Sequence, residues 1–266
     1  MLKVTSFDQI QGFVRDIRAQ RSGYVTNFYW DPQKHPYWIA ESALAFDRSE
    51  HCILMWHPSD RFVSIFYIAT SLEAVAERLQ VLPKGSPWIA DIVCKGDGIV
   101  EQEAFKSMGF ETYQHLYRMM HAGRMIGDDW TPDARVQIGS DDDAVLVWDI
   151  FQRDFDPLAE QLPSLQEIRD FAARKELLVI KTNERIAGFL IYQMAGSTWY
   201  LRYWYTSPVC RNQGIGAGLL KTALLEGADS KRQIFWVIAD NENAIKRYEH
   251  YGFRREDMND YVMIRR

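Results

Sequence analysis

The stretch Pro208-Val209-Cys210-Arg211-Asn212-Gln213-Gly214-Ile215-Gly216-Ala217-Gly218-Leu219-Leu220 decides the reading of this 266-residue chain. It follows the aromatic run Trp199-Tyr200-Leu201-Arg202-Tyr203-Trp204-Tyr205-Thr206, whose composition predicts a strand. It opens a segment whose apolar stripe, Ile215, Leu219, Leu220, Ala223 and Leu224, predicts a helix. Glycines at 214 and 216 let the backbone approach a ligand, several amide N–H groups point outward, and the helix N-terminus adds partial positive charge. Such a bend is a cradle for a pyrophosphate, with Arg211 adding charge at its mouth. Glycines at this spacing also occur in tight turns that bind nothing, so the neighbouring elements have to decide. No GlyLys followed by Ser or Thr closes the bend, and the strands ahead of it form a meander instead of a βαβ unit. Neither a nucleotide hydrolase nor a dinucleotide dehydrogenase fits.

Upstream, Asp141 to Phe155 carries Ala144, Val145, Trp148 and Phe151 at helical spacing. Ser164-Leu165-Gln166-Glu167 is a capping-box pattern ahead of Ile168, Phe171 and Ala172, and starts a second helix. Leu177 to Lys181 and Ile186 to Met194 predict strands joined by the polar turn Thr182-Asn183-Glu184-Arg185, so Trp199 to Thr206 is the third of an antiparallel series. Downstream, Ile234 to Ala239 suits a short buried strand. Asn241 then caps a helix carrying Ala244, Ile245 and Tyr248 that closes near Gly252, and Tyr261 to Ile264 ends the chain as a strand. The expected order is helix, helix, three strands, helix, strand, helix, strand. This is an α/β (α+β) arrangement.

The segment 208–220 resembles the acyl-CoA signature of the GCN5-related N-acetyltransferase (GNAT) family. Asn241-Glu242-Asn243-Ala244-Ile245-Lys246-Arg247-Tyr248-Glu249-His250-Tyr251-Gly252-Phe253 resembles that family's closing pattern, and Ile186-Ala187-Gly188-Phe189-Leu190 looks like its third strand. The resemblance covers roughly residues 135–266 and implies a mixed, mostly antiparallel sheet flanked by helices. It also implies an N-acetyltransferase that takes acetyl-CoA as acyl donor, uses no metal and proceeds by direct attack of a neutral amine. Carried over residue by residue, it gives Trp204, Tyr205 and Thr206 backbone contacts to the pantetheine arm. Arg211, Asn212, Gln213, Gly214, Ile215, Gly216 and Ala217 would wrap the pyrophosphate, and Asn241 with Ala244 would meet the arm. Tyr248 would reach the thioester sulfur as general acid, although by spacing alone it reads as a core aromatic. Members of the family often carry a Glu on the strand before the bend, and here that strand contains no acid. A water chain or one of Asp154, Asp156 and Glu160 remains open as the base, each acid also reading as a solvated surface group. Arg202, a cation among aromatics, is a candidate partner for a substrate carboxylate and equally a plain surface cation.

The first half reads as a worn copy of the second. Ala104-Phe105-Lys106-Ser107-Met108-Gly109-Phe110 aligns without gaps on Arg247-Tyr248-Glu249-His250-Tyr251-Gly252-Phe253, and Trp88 to Cys94 matches the strand at Ile234 to Ala239. Phe105 replaces Tyr248 and Gly98 replaces Asn241. After the apolar run Phe62 to Ala69 comes the acidic helix start Thr70-Ser71-Leu72-Glu73-Ala74-Val75-Ala76-Glu77-Arg78, which would repel a pyrophosphate. The expected layout is a degenerate GNAT-like domain without a CoA site at 1–125, a linker at 126–134 and a catalytic domain at 135–266. Phe28, Tyr29, Trp30, His35, Tyr37 and Trp38 are expected to pack as core, the alternative being a mobile or interfacial segment that meets the second half and shapes its acceptor pocket.

Composition bounds the rest. Hydrophobic residues at 47% and charged residues at 25% predict a folded globular chain. A formal net charge of −5 with no basic run argues against a nucleic-acid partner, and with it against aminoacyl transfer from tRNA. Cys52, Cys94 and Cys210 lack the spacing of a zinc site or a disulfide framework. No stretch of 18 apolar residues occurs, and polar residues interrupt the first eight positions before a signal-peptide core could form, so a cytoplasmic location without membrane contact is expected. The expected partners are acyl-CoA and a small amine or peptide acceptor, with the chain a monomer or homodimer. The competing expectation is a non-catalytic acyl-CoA-binding or interaction protein that keeps the cradle.

Overall fold

The computed structural model describes residues 2–80, 87–123 and 130–266; residues 126–129 of the expected linker lie outside the described residues. The chain forms two compact units, Met1–Leu116 with Asp257–Arg266, and Tyr117–Glu256. In chain order the first contains β1 (Leu2–Lys3), α1 (Phe7–Ala19), β2 (Val25–Thr26), α2 (His35–Ala40), β3 (Ala45–Arg48), β4 (Cys52–Pro58), β5 (Val63–Ala69), α3 (Leu72–Leu79), β6 (Trp88–Lys95) and α4 (Ile99–Ser107). The strand β7 (Glu111–Ala122) leads into the second unit. There follow β8 (Gln137–Ile138), α5 (Asp141–Asp154), α6 (Leu165–Ala173), β9 (Leu177–Thr182), β10 (Arg185–Ala195), β11 (Thr198–Thr206), a single 3-10 turn (Pro208–Cys210), α7 (Ile215–Glu226), β12 (Arg232–Ile238) and α8 (Glu242–His250). The strand β13 (Arg254–Arg265) closes the chain, and its residues from Asp257 belong to the first unit. The compact units thus differ from the expected division at 1–125 and 135–266, because the two long strands β7 and β13 are each shared between units.

Both units contain the same succession of helices, antiparallel meander, helix, strand, helix and strand, so one architecture occurs twice in the chain. In the first unit the strand order is β1-β3-β4-β5-β6-β13, with β2 on β5. Its pairs are antiparallel except β5 with β6, which run parallel over Val63↔Trp88 and Ser64↔Ile89. In the second unit the order is β7-β12-β11-β10-β9-β8, and β11 with β12 is again a short parallel pair.

Helix starts follow the chemistry of their caps. Ser140 and Asp143 form a reciprocal capping box at α5, and Ser164 with Glu167 forms the expected one at α6. The α5 stripe is rotated from the expected one. Ala144, Val147, Ile150 and Phe151 are buried, whereas Val145 points out, since Val145 and Val147 satisfy the helical period about equally and only the contact with the sheet selects between them. The strand β10 is buried on both faces: Phe189 and Ile191 pack with α5 and α6, while Leu190 and Tyr192 pack with α7. That explains its nearly unbroken apolar sequence. The expected α7 stripe, Ile215, Leu219, Leu220, Ala223 and Leu224, is buried throughout. In the first unit Phe28, His35 and Trp38 are buried, as expected for core, but Tyr29 and Tyr37 are exposed. Among the described residues no helix is long and apolar enough to cross a membrane, and no group of His, Cys, Asp and Glu is placed to hold a metal.

Candidate functional site

The site begins where two strands part. The parallel pairing of β11 with β12 covers Thr198↔Arg232, Trp199↔Gln233 and Tyr200↔Ile234, then stops. On its other edge β11 stays paired with β10 as far as Thr206↔Gly188. The backbone from Leu201 to Thr206 therefore has one edge without a strand partner. A β-bulge explains the divergence: the register steps from Leu201↔Tyr192 to Tyr203↔Ile191, leaving Arg202 as an extra residue. An extra residue bends and twists its strand. It also reverses the side-chain alternation, so Tyr203 and Tyr205 join the α5–α6 core while Trp204 packs on the α7–α8 side with Trp199 and Leu201. Arg202 itself is exposed, and its Nε donates to Gln193 Oε1 at 2.8 Å.

The bend beyond β11 is built from left-handed backbone. Asn212 (φ 63°) and Gly214 (φ 73°) flank Gln213, and α7 begins at Ile215 with no side chain capping it. Successive residues in such a turn aim their amides into a common concavity. Arg211, Asn212, Gln213 and Gly214 are exposed, Ala217 is half-buried, and Ile215 and Gly216 are buried. A Cβ on Gly216 would lie 3.0 Å from Thr206 Oγ1 and 3.1 Å from the Trp204 ring, so the helix start is pressed onto the end of β11. Likewise a Cβ on Gly188 would meet Ile215 Cγ2 at 2.7 Å and the Tyr205 carbonyl oxygen at 2.9 Å.

A clamp that the sequence did not reveal holds this bend. Arg135 donates from Nε and Nη2 to the two Asp133 oxygens, at 3.0 and 2.6 Å, and from Nη1 to the Gln213 carbonyl at 3.0 Å. The Asp133 backbone N–H donates to Thr222 Oγ1 on α7 at 3.0 Å, and a Cβ on Gly218 would collide with the Asp133 carboxylate. Hydrogen bonding to Arg135 pulls the Asp133 carboxyl down to about 2, so the pair is ionised at any working pH. Neither residue belongs to a recognisable motif. Asp133 falls in the stretch expected to be linker.

Tyr248 is 8% exposed, with its ring 4.2 Å from Phe235 and 5.5 Å from Trp204, centroid to centroid. Burial raises its phenol well above the ordinary value, and among the described residues its hydroxyl has no hydrogen-bonding partner. Trp204 Nε1 is also buried without an acceptor. Asn241 is the N-cap of α8, its Oδ1 accepting from the Ala244 N–H at 3.2 Å. The carbonyl of that side chain is therefore engaged by the helix, leaving its amide N–H groups for another partner. Ala244 packs half-buried against the same core.

The three acids upstream are sorted by their surroundings. Asp154 accepts from Arg153 and, at 2.6 Å, from the Tyr205 hydroxyl; these bonds hold its carboxyl below the usual range. Asp156 accepts from the Leu158 N–H at 2.9 Å and shapes the turn after α5. Glu160 accepts a long bond, 3.4 Å, from the Asp156 N–H, and burial pushes its carboxyl up to about 7. The Tyr203 hydroxyl donates to the Gln161 carbonyl and so ties this connection to β11.

Comparison with known proteins agrees with this architecture. The profile of the acetyltransferase (GNAT) family matches residues 144–253. A tandem GNAT protein from the clavulanic acid biosynthesis pathway superposes over 99% of this chain and 96% of its own, with a TM-score of 0.61 at 14% identity. An acetyltransferase of the GNAT family from Colwellia psychrerythraea covers 98% of this chain and 97% of its own, with a TM-score of 0.56 at 14% identity. A GNAT-family protein from Novosphingobium aromaticivorans covers 74% of this chain and 82% of its own, with a TM-score of 0.52 at 17% identity. At these identities the likeness is one of fold. No curated protein matches the sequence.

Proposed function

From the premise that residues 144–253 belong to the GNAT acetyltransferase family, we propose that the protein is an N-acyltransferase that moves an acetyl group from acetyl-CoA to a primary amine. The observation that carries this reading is the continuity of the open edge of β11 with the left-handed bend and uncapped start of α7. The edge at Trp204, Tyr205 and Thr206 suits a pantetheine arm, whose amides can pair with a strand. The bend from Arg211 to Ala217 suits the pyrophosphate, which amide donors and a helix N-terminus favour. Asn241 is exposed and keeps its side-chain amide N–H groups for a further partner.

Bound acetyl-CoA supplies the thioester carbonyl; the amine nitrogen forms a bond to that carbon, the C–S bond breaks, and the products are an amide and free CoA. Tyr248 donates a hydrogen bond to the departing sulfur. Its raised pKa keeps the hydroxyl protonated across the working range. Outright transfer from a phenol of pKa above about 10 to a thiolate of about 8.5, the Cys value, runs uphill, so the hydroxyl acts chiefly as a donor to developing charge, with solvent supplying the net proton.

The first unit takes no CoA in this reading. Its counterpart helix α3 starts after an extended Ser71, whose side chain accepts from the Ala74 N–H at 3.3 Å, and Glu73 sits in the first turn with its carboxyl lowered by hydrogen bonds from Ser71 and from its own backbone amide. The amides that would hold a phosphate are thus already paired with the chain's own oxygens.

Release of free thiol from acetyl-CoA in the presence of a panel of amines tests the proposal. We expect turnover with at least one amine, and Tyr248→Phe to lower kcat by about 10²-fold while leaving CoA binding intact. The absence of an acid from β11 favours a second reading, a CoA-binding protein without catalysis; binding with no turnover across the panel would select it.

A further inference from the structure

We propose that Arg202 binds a carboxylate of the acceptor, so that the amines acetylated by this protein are amino acids or other amines carrying a carboxylate. This rests on the acyl-transfer reading above. Arg202 is the extra residue of the β11 bulge and comes two positions before Trp204, so it stands on the open edge where β11 leaves β12. The two faces of the sheet differ at that point. On one, Trp199 and Leu201 share a buried cluster with Ile215, Leu219, Phe235 and Tyr248, and Trp204 packs against it, so the protein's own side chains fill that side. The guanidinium of Arg202 takes the other. Its partner Gln193 follows Tyr192, a member of the buried cluster, and side chains alternate along a strand, so Gln193 faces away from α7 and α8. Tyr200, which pairs with Gln193 across the strands, lies with its ring 5.8 Å from the guanidinium carbon. Across the split, Trp236 shares the face of Ile234, the last β12 residue paired with β11. It is 36% exposed, while Phe235 and Val237 on either side of it belong to the buried cluster.

A plain surface arginine needs no buried anchor, and Arg202 has one. Gln193 is 3% exposed at the end of the buried run from Ile186 to Tyr192. Burying a primary amide costs free energy unless it is hydrogen-bonded, and here its carbonyl oxygen accepts from Arg202 Nε at 2.8 Å. That bond spends one guanidinium donor and fixes the plane of the group on an exposed residue. A guanidinium held in this way offers a planar fork, which matches the two oxygens of a carboxylate better than the point charge of a lysine would. Arg118 and Arg232, by contrast, both pair with Glu256, and Arg118 lies 5.7 Å from the Trp236 ring. The indole of Trp236 and the ring of Tyr200 supply apolar surface for the body of the acceptor. The carboxylate undergoes no bond change; holding it brings the nitrogen to the open edge of β11, from the face that the buried cluster does not fill.

Matched acceptors tested on the full chain with acetyl-CoA decide the assignment. Each amino acid of a panel is offered as the free acid and as its carboxamide, and the ratio of the two kcat/KM values is compared between the native chain and its variants. The difference in basicity between the two amines is the same for every variant and cancels. Arg202→Met should lower the ratio by about 10–10²-fold, mainly through the KM of the free acid, because a charge-assisted pair is lost. Arg202→Lys, which keeps the charge without the fork, should fall between and carries the test if the methionine variant does not fold. Both should gain thermal stability from CoA as the native chain does, which separates a lost acceptor contact from a damaged donor site. A ratio equal in the native chain and the variants, or a native chain whose acceptors all lack a carboxylate, overturns the role of Arg202 and leaves acyl transfer standing. Faster acetylation of an aminoalkyl phosphonate than of the matching amino acid would assign the fork to phosphate and overturn the carboxylate. A native chain that releases no thiol with any amine overturns the acyl-transfer reading, and the role of Arg202 with it.

Discussion

At the residue scale the site depends on positions where a side chain is missing. Gly188 is the sharpest case, because a Cβ there would meet backbone, the Tyr205 carbonyl oxygen at 2.9 Å, as well as Ile215 at the start of α7. Backbone cannot rotate away as a side-chain tip can. Gly188→Ala should therefore cost about 1–3 kcal/mol of stability, read by denaturant unfolding, and should weaken CoA binding by displacing the start of α7; a variant with native stability and affinity would show that α7 is less tightly seated. The segment Ile186-Ala187-Gly188-Phe189-Leu190 was legible as a strand, but the reason for its glycine was not, since no local pattern shows which helix will lie across a strand. Val145 makes the same point in reverse. Spacing admits it to the buried stripe of α5, yet it is exposed and Val147 takes its place.

At the element scale the decisive feature is the bulge at Arg202, which turns β11 away from β12 and opens the edge beside Trp204, Tyr205 and Thr206. The sequence predicted the strand within one residue of its start and gave its end, but an unbroken run of aromatics does not disclose an extra residue in the register. The helix starts were more legible, because a cap is local chemistry: Ser164 with Glu167 and Asn241 with the Ala244 N–H stand as their patterns predict. The Asp133–Arg135 clamp was hidden for the opposite reason, since its partner on the bend is a backbone carbonyl and backbone leaves no trace in sequence. Arg135→Ala should remove the hydrogen bond to Gln213 and leave the Asp133 carboxylate uncompensated beside the cradle. With a charge-assisted bond being worth about 1.5–3 kcal/mol, the Kd for acetyl-CoA should rise by about tenfold or more, measured by calorimetric titration; an unchanged Kd would mean that the bend keeps its shape without the clamp.

At the scale of the whole molecule one architecture is used twice with different chemistry. Both units place a helix after the third meander strand and follow it with a short parallel pairing, and both bury an aromatic at equivalent positions, Phe105 and Tyr248. They part at the helix start: an extended Ser71 and an acid in one, left-handed Asn212 and Gly214 with no acid in the other. This contrast was legible in the sequence because it depends on residue types at adjacent positions, whereas the sharing of β7 and β13 between units was not, since strand membership is decided by pairing distant in sequence. It also predicts one acetyl-CoA per chain. Gly214→Asp probes this claim with the fold preserved, because aspartate tolerates left-handed backbone and is a good N-cap, while its carboxylate would occupy the amides meant for the diphosphate. Titration of acetyl-CoA into the native chain should give one site, and into Gly214→Asp none, with both proteins melting at similar temperatures without ligand. Binding to Gly214→Asp with native affinity would contradict the account.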